Sequence, residues 1–120
     1  MTEVKFPVIV RVNGQQSYQW LTLEQANKSF VVIDNRLVIH KVEPLSLEYC
    51  QFLLEQSQKS LAASQENFDL LCEDVETRKN NSRFISEYLR PKLEKCKAEI
   101  KKDELDIAFL KQAIVFLKSE

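Results

Sequence analysis

The sequence predicts an α+β chain: a small N-terminal antiparallel β subdomain of two hairpins over residues 1–44, then a long antiparallel α-helical coiled-coil hairpin over residues 45–120. Three observations carry this reading. Before Pro44 the apolar residues alternate or form short β-branched blocks. After it they recur every seven residues. Between Ser46 and Ser119 one polar run, Lys79-Asn80-Asn81-Ser82, stands out as the place for a chain reversal.

The β segment opens with Val4, Phe6, Val8, Val10 and Val12 in alternation, and continues with FVVI at 30–33 and LVI at 37–39. Asn13-Gly14, which contains the single glycine of the chain, marks the first hairpin turn. Asp34-Asn35-Arg36 marks a second. Two registers compete for the first hairpin. A two-residue turn pairs Val10 with Ser17 and Ile9 with Tyr18, which places Val8 and Val10 on one face and Tyr18 and Trp20 on the other. A three-residue loop ending in Gly14 pairs Val10 with Gln16, Val8 with Tyr18 and Phe6 with Trp20. The second gathers the large apolar groups on one side, as a half-buried sheet requires, and is the expected register. Between the hairpins LTLEQANKS predicts a short helix, with Thr22 as N-cap and Gln25 completing a capping box.

Ser46 is placed to cap the first long arm, with Leu45 outside it and Tyr49 inside. Along that arm Leu47, Leu54, Leu61, Phe68 and Val75 form the a series; Cys50, Ser57, Ser64, Leu71 and Arg78 form the d series. The second arm has Leu93, Ile100, Ile107 and Ile114 at a, and Leu89, Cys96, Asp103, Leu110 and Leu117 at d. Reversal near Ser82 sets Leu47 opposite Leu117, Leu54 opposite Leu110, Phe68 opposite Cys96 and Val75 opposite Leu89. Small side chains then meet large ones, as close packing demands. One layer is poor, because Leu61 meets Asp103. The arms are expected over about 46–79 and 82–119, with Ser82 capping the second and the whole chain packed as one domain. Pro91, at an outward position, marks where the second arm kinks or starts anew.

Apolar residues in excess of the seam show where something else packs. Tyr49, Phe52, Leu53, Phe109, Ala113, Val115 and Phe116 crowd the base of the hairpin and are expected against the β subdomain. Outward residues of the middle, Gln58, Lys59, Gln65, Glu66, Lys97, Lys101 and Lys102, read as solvated. At the turn Phe84, Ile85 and Tyr88 reappear beside Arg78, Lys79, Arg83 and Arg90. An aromatic pair flanked by arginines has the composition of an interface hot spot. The simpler reading of Phe84 and Tyr88, four apart on one helix face, is a local cluster that closes the end of the hairpin.

Net charge is −1 over 120 residues, so no overall basic field attracts nucleic acid or an acidic membrane. The charge is segregated, however. Residues 45–79 carry three Lys/Arg against seven Asp/Glu, and residues 80–120 carry nine against seven. Complementarity between the two arms is the plain account of that split. Glu73, Asp74 and Glu76 read as a solvated acidic face, with Asp74 near Lys92, rather than as a metal site. Gln51, Gln58 and Gln65 recur every seven residues and line either solvent or a contact with another helix.

Catalytic chemistry finds little here. His40 is the only histidine, Cys50 and Cys96 take seam positions, and Cys72 has acidic neighbours that disfavour a thiolate. The sequence points to no catalytic residue, no metal and no cofactor. Three cysteines at spacings of 22 and 24 suit neither a disulfide framework nor a metal motif, and the simplest setting is a reducing cytoplasm. The N-terminal apolar run is too short for a signal peptide, and no stretch approaches the length of a membrane span. The expected function is therefore a non-enzymatic protein-binding module, an adaptor, assembly factor or small inhibitor, that contacts a protein partner through Arg78, Lys79, Arg83, Phe84, Ile85 and Tyr88. The alternatives are a coiled-coil protein that self-associates as a homodimer, and a regulator that reaches into a nucleic-acid enzyme with the hairpin tip.

Overall fold

The computed structural model describes residues 4–28 and 30–119, apart from the side chains of residues 30–33 and 37–40. The strand reading of FVVI and LVI is therefore tested on the backbone, and the reading of His40 lies outside the described side chains. The fold is α+β, with four antiparallel strands followed by a helical hairpin. It divides into two compact units, residues 1–50 with 113–120, and residues 51–112.

In the first unit β1 (Lys5–Val12), β2 (Gln15–Thr22), β3 (Phe30–Ile33) and β4 (Arg36–Pro44) form one sheet in the order β2-β1-β4-β3. The register of the first hairpin differs from the expected one: Val10 pairs with Ser17, Val8 with Gln19 and Phe6 with Leu21. The turn itself decides this. Asn13 and Gly14 both have positive φ, 51° and 78°, which is the two-residue primed turn whose twist matches that of the flanking strands. A half-buried sheet would disfavour this register. Instead β1 is buried on both faces, with Val8 and Val10 at 3% and 4% exposure on one side and Ile9 at 0% on the other. Splitting the apolar residues across the faces then costs nothing. Asp34 and Asn35, with φ of 51° and 63°, repeat the same turn between β3 and β4.

Pro7 sits in the inner strand without breaking a ladder, because pairing with β4 begins only at Val8 opposite Pro44. Its carbonyl accepts the Leu45 N–H at 3.2 Å. The short helix α1 (Leu23–Ala26) carries the expected box: Thr22 Oγ1 accepts from the Gln25 N–H at 3.2 Å, and Gln25 Oε1 accepts from the Thr22 N–H at 3.0 Å. Phe116 packs edge-on against both Phe6 and Trp20, with ring centroids 6.1 and 5.5 Å apart. Trp20 is thereby half-buried, while Phe6 keeps 37% of its surface exposed. One residue assigned to that packing on sequence grounds, Val115, is 70% exposed. A Cβ on Gly14 would meet nothing within 4 Å, so only backbone strain opposes substitution there. Gly14→Ala is expected to cost about 1 kcal/mol in denaturant unfolding followed by Trp20 fluorescence.

Ser46 caps α2 (Leu47–Thr77), its hydroxyl accepting the Tyr49 N–H at 3.1 Å. In the second unit the chain reverses over residues 78–81 and returns as α3 (Ser82–Phe84), a π-helical turn (Ile85–Leu89) and α4 (Arg90–Lys118). Two cross-arm bonds show that the arms run antiparallel, with partners displaced from the expected Leu61–Asp103 and Phe68–Cys96 layers. Ser60 Oγ donates to Asp103 at 2.8 Å, and the Cys96 thiol donates to the Ser64 carbonyl at 3.1 Å. Asp103, the poor layer of the sequence pattern, is thereby satisfied. The first arm ends at Thr77, short of the expected 79, and the second begins at Ser82 as expected, but Asn81 rather than Ser82 is the cap, because the Asn81 side-chain oxygen takes the Phe84 N–H at 3.1 Å.

Leu89, Cys96 and Leu110 are buried, whereas Leu54, Leu61, Phe68, Leu71, Leu93, Ile100 and Ile107 are half-buried. Two helices alone close the seam only in part. The middle residues Gln58, Lys59, Gln65, Glu66, Lys97, Lys101 and Lys102 are exposed, as expected. Burial pushes the Cys96 thiol and the half-buried Asp106 carboxyl above their ordinary values, Lys102 pulling the latter back. No helix among the described residues is long and apolar enough to cross a membrane.

Candidate functional site

The turn of the hairpin is built from its sequence in three steps. Thr77 ends α2, its hydroxyl bonding back to the Glu73 carbonyl at 2.9 Å. The Asn81 N–H then closes a tight turn on the Arg78 carbonyl at 2.8 Å, and the Asn81 side chain caps the next helix. The third step is the π-helical turn. Arg90 donates its N–H to the Ile85 carbonyl, five residues back. Pro91 has no N–H to give, and its ring would collide with the carbonyl four residues back in a regular helix. The wider turn just before it lets the helix continue to Lys118. Pro91 therefore neither ends the second arm nor begins a new one.

This geometry assembles an exposed aromatic ledge. The Phe84 and Tyr88 rings stack with centroids 5.2 Å apart and planes inclined by 32°. Arg78 lies over the other part of the pair, its guanidinium carbon 4.6 Å from the Phe84 ring centroid. Phe84 and Ile85 are half-buried and Leu89 is only 2% exposed, but Tyr88 is 58% exposed. The ledge thus has an anchored side and a free side.

The charges around it are neutralised within their own helices. Arg78 pairs with Asp74 at 3.1 Å, Lys79 with Glu76 at 3.5 Å and Arg83 with Glu87 at 3.1 Å. Asp74 was expected near Lys92 across the hairpin; its ion pair is instead with Arg78, four residues on in the same helical stretch, where geometry is easier. All three pairs are exposed, so each contributes little and exchanges readily for a partner's carboxylate.

Of the six residues expected at a partner surface, the structure brings Arg78, Phe84 and Tyr88 into one stacked group and places Arg83 and Lys79 at its rim. Ile85 is turned partly inward. Sequence reasoning missed the near-complete burial of Leu89 at the end of the π-helical turn and Glu87 as the partner of Arg83. Leu89 was assigned only to the seam. The i,i+4 spacing of Arg83 and Glu87 was the legible signal for the second.

Elsewhere the described residues offer little chemistry. No three of their His, Cys, Asp and Glu side chains converge as metal ligands. Cys72 is exposed; Cys50 and Cys96 are buried, and burial pushes both thiols up, away from nucleophilic use. One face of the sheet has an apolar groove of about 320 Å³ between Phe6, Leu21, Leu23, Ala26, Val42 and Pro44. Asn27 is the one polar side chain at its lining, short of the several converging polar groups that orient a small ligand. Compared with protein-family models, curated proteins and solved structures, the chain matches none.

Proposed function

We propose that this chain is a non-enzymatic protein–protein interaction module, an adaptor, assembly factor or small inhibitor, that docks a protein partner on the tip of its helical hairpin. One observation carries the reading: a tyrosine more than half exposed, held in place by a phenylalanine that is itself clamped under an arginine. Tyr and Arg are the side chains over-represented where interface energy concentrates. Holding them rigid before binding lowers the ordering cost of association. The rim of exchangeable ion pairs supplies orientation rather than affinity. The three unpaired cysteines suit a reducing, cytoplasmic place of work.

Capture with the intact chain as bait tests this. Tyr88→Ala with Arg83→Ala removes the free side of the ledge while leaving Leu89 and Phe84 in place. The double variant is expected to keep the helicity of the parent and to retain at least about tenfold less partner. Undiminished capture by the folded variant removes the tip from the account. Capture of nucleic acid instead, with affinity falling steeply as salt rises, replaces the protein partner with the charged arms as the working surface.

A further inference from the structure

The hairpin has two flanks, and they differ. Along α2, Gln51, Gln58 and Gln65 line one of them. On the other, three adjoining hollows run along the arms and share Asn67. Their lining includes the half-buried seam residues Ser64 and Leu71, so on this side the two-helix seam is only partly closed. Leu70, 56% exposed, stands at their edge. A leucine beside an unclosed seam is where another helical layer gains most by packing.

The charges lining these hollows say which layer fits. From α2 they are Glu66, Glu73 and Asp74; from α4 they are Lys92 and Lys95, with Glu99 as the one acidic member. The acidic side of one hairpin is complementary to the basic side of another. Heights agree as well. With Ser60 level with Asp103, Glu66 falls between Lys95 and Lys102, and Glu73 falls within a turn of Lys92. A two-fold axis parallel to the helices lays α2 of one copy on α4 of the other, antiparallel, with both turns at the same end. An axis perpendicular to the helices lays acid on acid and base on base, and is disfavoured.

We infer that the flank marked by Asn67 and Leu70 seats a second copy of this hairpin, acidic arm against basic arm, in a four-helix arrangement with the two tips side by side. This surface is separate from the aromatic ledge and does not depend on its reading. Two ledges at one end of such a dimer would engage a repeating or dimeric partner together, with gain in avidity.

Sedimentation of the full chain tests the proposal. A dimer is expected below about 100 µM, weakening as salt is raised because the attraction between arms is screened. Leu70→Glu is expected to raise the dissociation constant at least about tenfold with helicity retained, and Ala63→Arg, also on the exposed surface of α2, to do the same. Glu66→Lys with Glu73→Lys should sediment as a monomer, and so should Lys92→Glu with Lys95→Glu; mixing the two should restore a dimer. Spin labels on Asn80 should then lie close together in the parent dimer. The proposal is overturned by a chain that stays monomeric at that concentration, including one that binds an unrelated helical protein on this flank. A dimer indifferent to both α2 substitutions, one that tightens with salt, or one with its Asn80 labels far apart would equally overturn it.

Discussion

Leu89→Ala is expected to lower the free energy of unfolding by about 2–5 kcal/mol, while Tyr88→Ala, one residue away, changes it by less than about 0.5 kcal/mol. The contrast comes from burial. Leu89 is 2% exposed and Tyr88 58% exposed, although both belong to the same π-helical turn. Removing three carbons from Leu89 leaves a cavity that the turn cannot collapse into, because Asn81 and Pro91 fix the chain on either side of it. Removing the Tyr88 ring takes away a half-solvated stack on Phe84 and nothing beneath it. Denaturant unfolding followed by far-ultraviolet circular dichroism separates the two. If Tyr88→Ala proved as costly as Leu89→Ala, the aromatic pair would be the end-cap of the hairpin, and its role as a binding ledge would lose its support.

Ile9→Ala should be the other severe substitution, again about 2–5 kcal/mol. Ile9 is fully enclosed, pairs across the sheet with Tyr18 on one side and Glu43 on the other, and lies between Val8 and Val10 in the strand buried on both faces. No surface route exists for the sheet to close over the missing atoms. Trp20, the single tryptophan, packs on Phe116 in the same unit and reports the transition directly. Its fluorescence midpoint should move to markedly lower denaturant. An unchanged midpoint would mean that β1 is not the inner strand, and the sheet order would have to be redrawn.

Much of the architecture was legible because period and punctuation agree. The switch from alternation to heptads at Pro44, the capping pairs Thr22/Gln25 and Ser46/Tyr49, and the Asn-Gly and Asp-Asn turns each act within a few residues. Local signals of this kind survive folding. The register of the first hairpin was misjudged for the opposite reason. Whether one face of β1 is buried or both depends on what the rest of the chain lays over it, and alternation cannot show that. The turn chemistry at Asn13-Gly14 was the better guide.

At the candidate site the composition was readable but the geometry was not. Phe84 and Tyr88 announced a shared face through their spacing. The stacking of Arg78 on Phe84 crosses the chain reversal, and the π-helical turn answers a proline that lies beyond it. Neither follows from pairwise spacing. Val115 shows the converse, since an excess of apolar residues at the base signalled packing without saying which of them pack.

The chain reversal at residues 78–81 underlies the ledge, the flank and the seam alike. Its most direct test is the distance between spin labels on Lys59 and Glu104, two exposed residues on opposite arms of the second unit. Arms packed side by side, with axes about 8–10 Å apart, hold the labels within roughly 25 Å of each other. A single unbroken helix through residues 78–81 would hold them roughly 65 Å apart at about 1.5 Å per residue, and that separation would contradict the hairpin and every surface argued from it.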